Sequence, residues 1–328
     1  MILKAAGATF REEAPAAAVS AETFTLPAHA KVNLLLRVLG RRTDGYHEIR
    51  TVFQTVTLHD LLTFGPAEAG RFSLECDQTG VPTDERNLVW RAAEALRERY
   101  GVRAGAQIKL EKRIPAGGGL GGGSSDAAAA LVGLSHLWGL ETDAAELSKI
   151  GAGLGADVPF FLTGGTALGT GTGTDITPLK DVPEHHLVLV TPGVEVSTAE
   201  AYGALKAPAL TKEGGVANLS VSRTEAGIYD SLCGVMANDF EAVVCGLYPS
   251  IGRAREALLG AGASCAMLSG SGASVFGVFE TRGDAGRAGR ALGREAGWRV
   301  FRCATLSRAG HARSLGRCAA VLRPGRGA

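Results

Sequence analysis

Apolar and polar positions alternate in short runs along the first part of the chain. Thr25 to Arg37 reads as a strand, Gly40 to His47 as a polar turn with Asp44-Gly45 at its tip, and Ile49 to Leu58 as a second strand. Asn87 to Arg97 spaces its apolar residues as an amphipathic helix does, and Gln107 to Ile114 alternates again, as a strand with one wet face. A helix to about Trp138 follows, then another from Asp143 to Leu154 with Thr142 as its N-cap. The Gly-Thr repeat Gly169 to Thr174 predicts a turn between strands.

After Thr177-Pro178 the apolar strand His186 to Val190 opens a second half. Helices are expected near Glu200 to Leu205, Asp239 to Val244 and Ser250 to Leu259, with a strand–turn–strand from Cys265 to Phe279. Such irregular alternation predicts an α+β protein of two packed lobes with a ligand cleft between them. Residues 1–22, alanine-rich and aperiodic, predict a poorly ordered extension; 23–180 form a first lobe, 181–306 a second and 307–328 an arginine-rich tail.

Between the alternating strand and its helix lies Ile114-Pro115-Ala116-Gly117-Gly118-Gly119-Leu120-Gly121-Gly122-Gly123-Ser124-Ser125-Asp126. Glycines let a backbone approach an anion closely, and the first N–H groups of a helix have no internal partners, so this stretch predicts a phosphate cradle. A Walker-type loop is excluded because Ser124-Ser125 stand where a Lys-Ser/Thr pair is needed. Gly117, Gly119 and Gly122 match the dinucleotide fingerprint, with Glu141 or Asp143 at the ribose spacing. The preceding strand is nevertheless amphipathic, unlike the apolar central strand of a parallel sheet.

Length and composition permit two ordinary lobes: 328 residues, 45% hydrophobic. Apolar runs are too short or too Gly-broken to cross a bilayer and Met1-Ile2-Leu3-Lys4 opens no signal peptide, so a cytoplasmic location is expected. Cys76, Cys233, Cys245, Cys265, Cys303 and Cys318 lack metal-ligand spacing, and are expected to be mostly reduced and buried. Eleven arginines against Asp284 and Glu295 make the stretch from Arg282 to Ala328 basic. Without aromatic interleaving it predicts a solvated face and a loose tail rather than a nucleic-acid surface.

Candidate chemistry concentrates in three places. Lys31 and Asn33 share one face of an otherwise apolar strand, an arrangement that suits either an edge-guarding lysine or a functional pair. Asp157, alone in the turn Gly155-Ala156-Asp157-Val158-Pro159, suits either a helix N-cap or a proton acceptor for an alcohol, with Lys31 holding it ionised. Tyr46 and His47 offer an aromatic face and a hydrogen-bonding ring, fit for a tight hairpin or a nucleobase. His59-Asp60 and His185-His186 have no metal partner at useful spacing and read as surface or structural residues.

With Lys31/Asn33, Gly45-Tyr46-His47, Pro115 to Ser125, Gly155 to Phe161 and Ser269 to Ala273 in this order, the chain resembles the GHMP kinase superfamily over about residues 25 to 280. The resemblance implies a two-lobed α+β fold with its site between the lobes. It also implies ATP-dependent phosphorylation of the 2-hydroxyl of a cytidine-diphosphate methylerythritol, a middle step of the non-mevalonate isoprenoid pathway. It casts Asp157 as proton acceptor, Lys31 as its support and Asn33 as a substrate-positioning residue. Pro115, Gly117, Gly118, Gly119, Leu120, Gly121, Gly122, Gly123, Ser124 and Ser125 would hold the ATP phosphates, with Asn87 and Lys112 near the adenine. His47, Tyr46 and Tyr202 would recognise the cytosine. Mg2+ is implied on the phosphates with no protein ligand named, and the partners implied are small molecules, with no nucleic acid or membrane, in a monomer or homodimer. Two alternatives remain at this level: a relative acting on mevalonate-type, homoserine or sugar alcohols, which the Gly45-Tyr46-His47 signature disfavours, and a ligand sensor, which should have lost the Lys/Asp pair or the glycine loop.

Overall fold

A computed structural model describes residues 22–208 and 232–323, so the extension expected up to residue 22 lies outside the described residues except for Glu22. The chain opens with two long antiparallel strands, β1 (Phe24–Arg41) and β2 (His47–Ala67), paired from Phe24↔Phe64 to Arg41↔His47. Both run further than their sequence pattern predicts. Beyond Leu58 the strand keeps its apolar face through Leu62 and Phe64, both fully buried. The register shifts between His29 and Lys31, between Asn33 and Leu35, and between Val38 and Gly40. Bulges of this kind re-aim side chains, and here they bracket Lys31 and Asn33.

The remaining elements are β3 (Phe72–Cys76), α1 (Leu88–Tyr100), β4 (Gly105–Glu111), α2 (Gly122–Leu137), α3 (Ala144–Leu154), α4 (Val158–Thr163), β5 (Thr166–Thr170), β6 (Asp175–Pro178), β7 (His186–Pro192), α5 (Thr198–Leu205), α6 (Leu232–Val235), β8 (Ala237–Asn238), α7 (Glu241–Leu247), α8 (Pro249–Gly260), β9 (Cys265–Leu268), β10 (Val275–Phe279), α9 (Arg282–Leu292), β11 (Trp298–Ala304), α10 (Arg308–Ser314) and a 3-10 helix, Gly316–Leu322. A 7-stranded sheet runs β3-β4-β2-β1-β8, with β5 pairing both β2 and β6; a 4-stranded sheet runs β11-β7-β10-β9.

Helix α2 is the axis of the first lobe. Its run Ala127–Ala130 is buried, and a Cβ at Gly133 would stand 2.4 Å from the Phe64 ring, so a side chain there would hold the helix off β2. Val89, Leu96, Ile108, Leu131 and Trp138 complete that core. The second lobe packs Val188, Val190, Val275 and Phe279 against α8 and α9 through Ile251, Leu258 and Ala285. A third cluster joins the two sheets: Val32, Leu34 and Val56 meet Leu187, Leu189 and Phe276.

Several expectations need correction. Of the tail expected after residue 306, the described part to residue 323 is not loose: α10 and the 3-10 helix bury His311, Leu315 and Cys318, and Cys318 belongs to the first lobe's core. Apolar residues three or four apart turn inward there while the arginines face out, apart from half-buried Arg308, which donates to the carbonyls of Thr166 and Leu179. Asp143 rather than Thr142 caps α3, accepting from Glu146 N at 2.8 Å. β4 stops at Glu111, because the next three residues turn to meet Asp60. Cys233 and Cys265 form a disulfide, and of the four free cysteines only Cys318 is fully buried. Among the described residues no helix is long and apolar enough to cross a membrane.

Candidate active site

The glycine loop is held open by its backbone. Gly117, Gly119 and Gly121 adopt φ of 66°, 73° and 71°, the left-handed region that costs glycine least. Gly121 is the N-cap of α2 and offers no side-chain cap, which leaves the first N–H groups of that helix directed at the loop. A cavity of about 480 Å³ opens there, lined by the loop, Ser124, Asn87, Lys112 and Asp126. Ser125 turns away: its hydroxyl donates to the His29 carbonyl at 2.6 Å and ties the start of α2 to β1.

The second lobe completes the loop from outside. The N–H groups of Ala273 and Ser274 donate to the carbonyls of Gly117 and Gly118, and the Ser269 hydroxyl donates to that of Gly119. Contact is so close that a Cβ on Gly272 would stand 2.2 Å from Gly119 N. Only two glycine turns could face each other in this way.

Lys31 reaches the far side of the loop, with its own N–H donating to the Leu120 carbonyl at 3.0 Å. It is 4% exposed, which removes the edge-guard reading. Its Nζ donates to Asn33 Oδ1 at 2.7 Å and lies 3.6 Å from Asp157 Oδ2. Asn33 is fixed in turn by donating to Thr51 Oγ1, whose hydroxyl donates to the Leu35 carbonyl, each at 2.7 Å. Asp157 occupies the N-cap position of α4 yet its side chain makes no capping bond, so its carboxylate is free to face Lys31. Burial of the lysine makes this pairing stronger than a surface ion pair, while the carboxylate keeps 29% exposure toward the cavity.

That second cavity, about 240 Å³, is lined by Lys31, Asn33, Asp157, Thr172, Tyr202 and Ser271 and shares Gly119 and Gly121 with the first. At its far side the His47 ring stacks on Tyr202, centroids 4.5 Å apart, and Tyr202 rests edge-on against Phe240. Burial lowers the His47 pKa and keeps the ring neutral; burial, reinforced by the Asp157 charge, pushes the Tyr202 hydroxyl up to about 12. Tyr46 is 67% exposed at the hairpin tip and does not join them.

Asn87 and Lys112 line the first cavity with their polar groups already engaged. Asn87 caps α1, accepting from Val89 N and donating to the Pro82 carbonyl. Lys112 Nζ bonds Asp60 and Asp126; burial pushes the Asp126 carboxyl up to about 7, with Lys112 opposing and Asp60 adding. Sequence reading missed Asp60, Asp126, Thr51 and Thr172. Asp60 did carry a signal, an acid set in the apolar run Leu58 to Leu62. A further cavity, about 1000 Å³ between α1 and α3, is walled by Glu98, Arg99, Glu146 and Lys149 and touches none of this machinery. No cluster of three or more His, Cys, Asp or Glu that could hold a metal ion occurs among the described residues.

A glycine loop on the N-terminus of a buried helix, closed by a second glycine turn and faced by a Lys/Asp pair, defines a GHMP kinase. Residues 87–165 match the family model described as GHMP kinases N terminal domain, and 224–297 match GHMP kinases C terminal. The chain is 42% identical over 280 residues to a 4-diphosphocytidyl-2-C-methyl-D-erythritol kinase of Syntrophotalea carbinolica, covering 85% of this chain and 97% of that one. It is 46% identical to that of Pelotomaculum thermopropionicum, covering 77% and 88%. A crystal structure of 4-(cytidine 5'-diphospho)-2C-methyl-D-erythritol kinase superposes with a TM-score of 0.71 at 36% identity, covering 86% of this chain and 99% of that one. The chain therefore belongs to the 4-diphosphocytidyl-2-C-methyl-D-erythritol kinase family.

Proposed function

We propose that this chain transfers the γ-phosphoryl group of ATP to the 2-hydroxyl of 4-diphosphocytidyl-2-C-methyl-D-erythritol. The observation that carries the reading is the Lys31–Asp157 pair in the second cavity, beside Gly119 and Gly121, which that cavity shares with the first. The first cavity suits a triphosphate and the second an alcohol, and the second holds a cation and a proton acceptor beside the shared glycines.

Phosphoryl transfer calls for alignment and charge neutralisation more than covalent help. In this reading the α2 N–H groups and the glycine loop hold the phosphates at the positive end of the helix. Asp157 takes the hydroxyl proton as the oxygen bonds to the γ-phosphorus and the bond to the β-phosphate oxygen breaks, releasing ADP. Lys31 offsets charge on the transferring group, and Asn33 fixes the direction of Lys31. Mg2+ enters as part of the MgATP substrate and neutralises phosphate charge. The neutral His47 ring and Tyr202 supply an apolar, hydrogen-bonding wall suited to a pyrimidine.

The test is phosphorylation of 4-diphosphocytidyl-2-C-methyl-D-erythritol by the purified chain with MgATP, beside mevalonate and homoserine. Turnover of the cytidylyl substrate alone is expected. Preference for another alcohol would discard the cytosine assignment, and nucleotide binding with no turnover of any would discard the kinase.

A further inference from the structure

Asp60 stands on β2 with no exposure to solvent. A buried carboxylate persists where its lone pairs are taken up, and these are. Oδ1 accepts the backbone N–H groups of Arg113 and Ile114, the latter at 2.7 Å, and Oδ2 accepts Lys112 Nζ. Those three residues form the link from β4 to the glycine loop.

The Lys112 ammonium is also held from the other end of the loop. Asp126, on the first turns of α2, accepts from it through Oδ2 at 2.7 Å, and a Cβ on Gly122 would stand 3.3 Å from Nζ. The Lys112 backbone is fixed as well, its N–H donating to Asp77 Oδ1 at 2.9 Å. One buried cation thus joins β2 to the beginning and the end of the glycine loop. Lys112 and Asp126 line the first cavity, and Asp126 Oδ1 has no hydrogen-bond partner among the described residues. The Lys31–Asn33–Thr51 chain hangs from β1 and β2 on the other side of the loop and meets it through the Lys31 N–H on the Leu120 carbonyl.

We propose that Asp60 is a positioning residue for nucleotide binding, fixing both ends of the phosphate loop through the Arg113 and Ile114 N–H groups and through Lys112 and Asp126. The inference rests on the first cavity being the ATP site. A carboxylate that only held the fold together would lower stability when removed and leave the affinity of folded enzyme unchanged. A carboxylate that sets the loop must alter nucleotide affinity more than affinity for the alcohol, because the polar side chains Lys31, Asn33 and Asp157 of the second cavity stand on β1 and at the start of α4.

The experiment compares wild type, Asp60→Asn and Asp126→Asn by calorimetric titration with a non-hydrolysable ATP analogue plus Mg2+, and by steady-state kinetics in both substrates. Asp60→Asn keeps an oxygen for the two N–H groups but loses the charge that holds Lys112. Its nucleotide Kd and its KM for MgATP are expected to rise about tenfold, the effect of losing one charge-assisted contact, with KM for the alcohol within about twofold. A folded Asp60→Asn with wild-type nucleotide affinity overturns the inference. Should that variant fail to fold, Asp126→Asn decides, since it loosens Lys112 while leaving Asp60 on the loop. A rise of about threefold or more in nucleotide Kd supports the inference, and an unchanged value overturns it. Wild type that binds no nucleotide would overturn the ATP reading together with this inference, whereas unaffected variants of a binding wild type overturn this inference alone.

Discussion

At the scale of single residues, the proposed chemistry turns on side chains that decline their ordinary structural use. Asp157 has the position of an N-cap without the bond, and Lys31 is buried where a strand lysine is usually exposed. Asp157→Asn therefore removes the proposed proton acceptor without removing a cap. Loss of general-base assistance alone should lower kcat by about 10² to 10⁴-fold, with the melting temperature close to wild type. Near-normal turnover by the folded variant would reassign the base. Lys31, Asn33 and Asp157 were legible in the sequence because a charged or amide side chain interrupts an apolar run. Thr51, which orients Asn33, was not, since a threonine in a strand is unremarkable by composition and only its partner gives it a role. Tyr46 shows the opposite error: its motif points to the site, while its place at the hairpin tip turns it to solvent.

At the scale of elements, the site is the contact of two turns from different lobes. Gly272→Ala inserts a Cβ 2.2 Å from Gly119 N, closer than atoms can approach, so the loop must shift. Weaker MgATP binding together with a lowered melting temperature is expected, measured by titration and thermal unfolding; unchanged affinity would mean that the loop keeps its position without that contact. Both glycine turns were readable, but their meeting was not, because it depends on sheet packing across more than a hundred residues of sequence, as with Ser269 and Gly119. The same applies to α10. Its His311 lies against His29 of β1, with burial lowering the two rings to about 4 and about 3, His29 further by the charges of His311 and His59. Both folded values lie below the ordinary 6.5, so the unfolded chain binds protons first. The stability these rings contribute is present above pH 6.5 and is lost as pH falls toward about 4. Thermal unfolding followed from pH 7 to pH 5 should show a falling melting temperature, with a shallower slope in His311→Phe. An equal slope in that variant would remove His311 from the cause.

At the scale of the whole molecule, two sheets share one core, and that shared core keeps the two halves of the site in register. Val32 and Leu34 alternate with Lys31 and Asn33 on β1, so the strand that presents Lys31 and Asn33 on one face presents the joining core on the other. The period of two was visible in the sequence; what the apolar face packs against was not, because Leu187, Leu189 and Phe276 come from the other sheet. The consequence for folding is specific. If the lobes were separately stable units touching at a cleft, they would unfold in separate steps, whereas a shared dry core couples them. Phe276 is fully buried in that cluster, and Phe276→Ala removes a large ring from it at a cost of about 3–5 kcal/mol. Calorimetry of the wild type should give one transition, and Phe276→Ala should lower it as a whole while weakening binding of nucleotide, since Ile114 and Leu120 of that cluster line the first cavity. Two wild-type transitions, only one of them moved by Phe276→Ala, would show instead that the lobes fold independently and that the geometry of the Lys31–Asp157 pair does not depend on the second sheet.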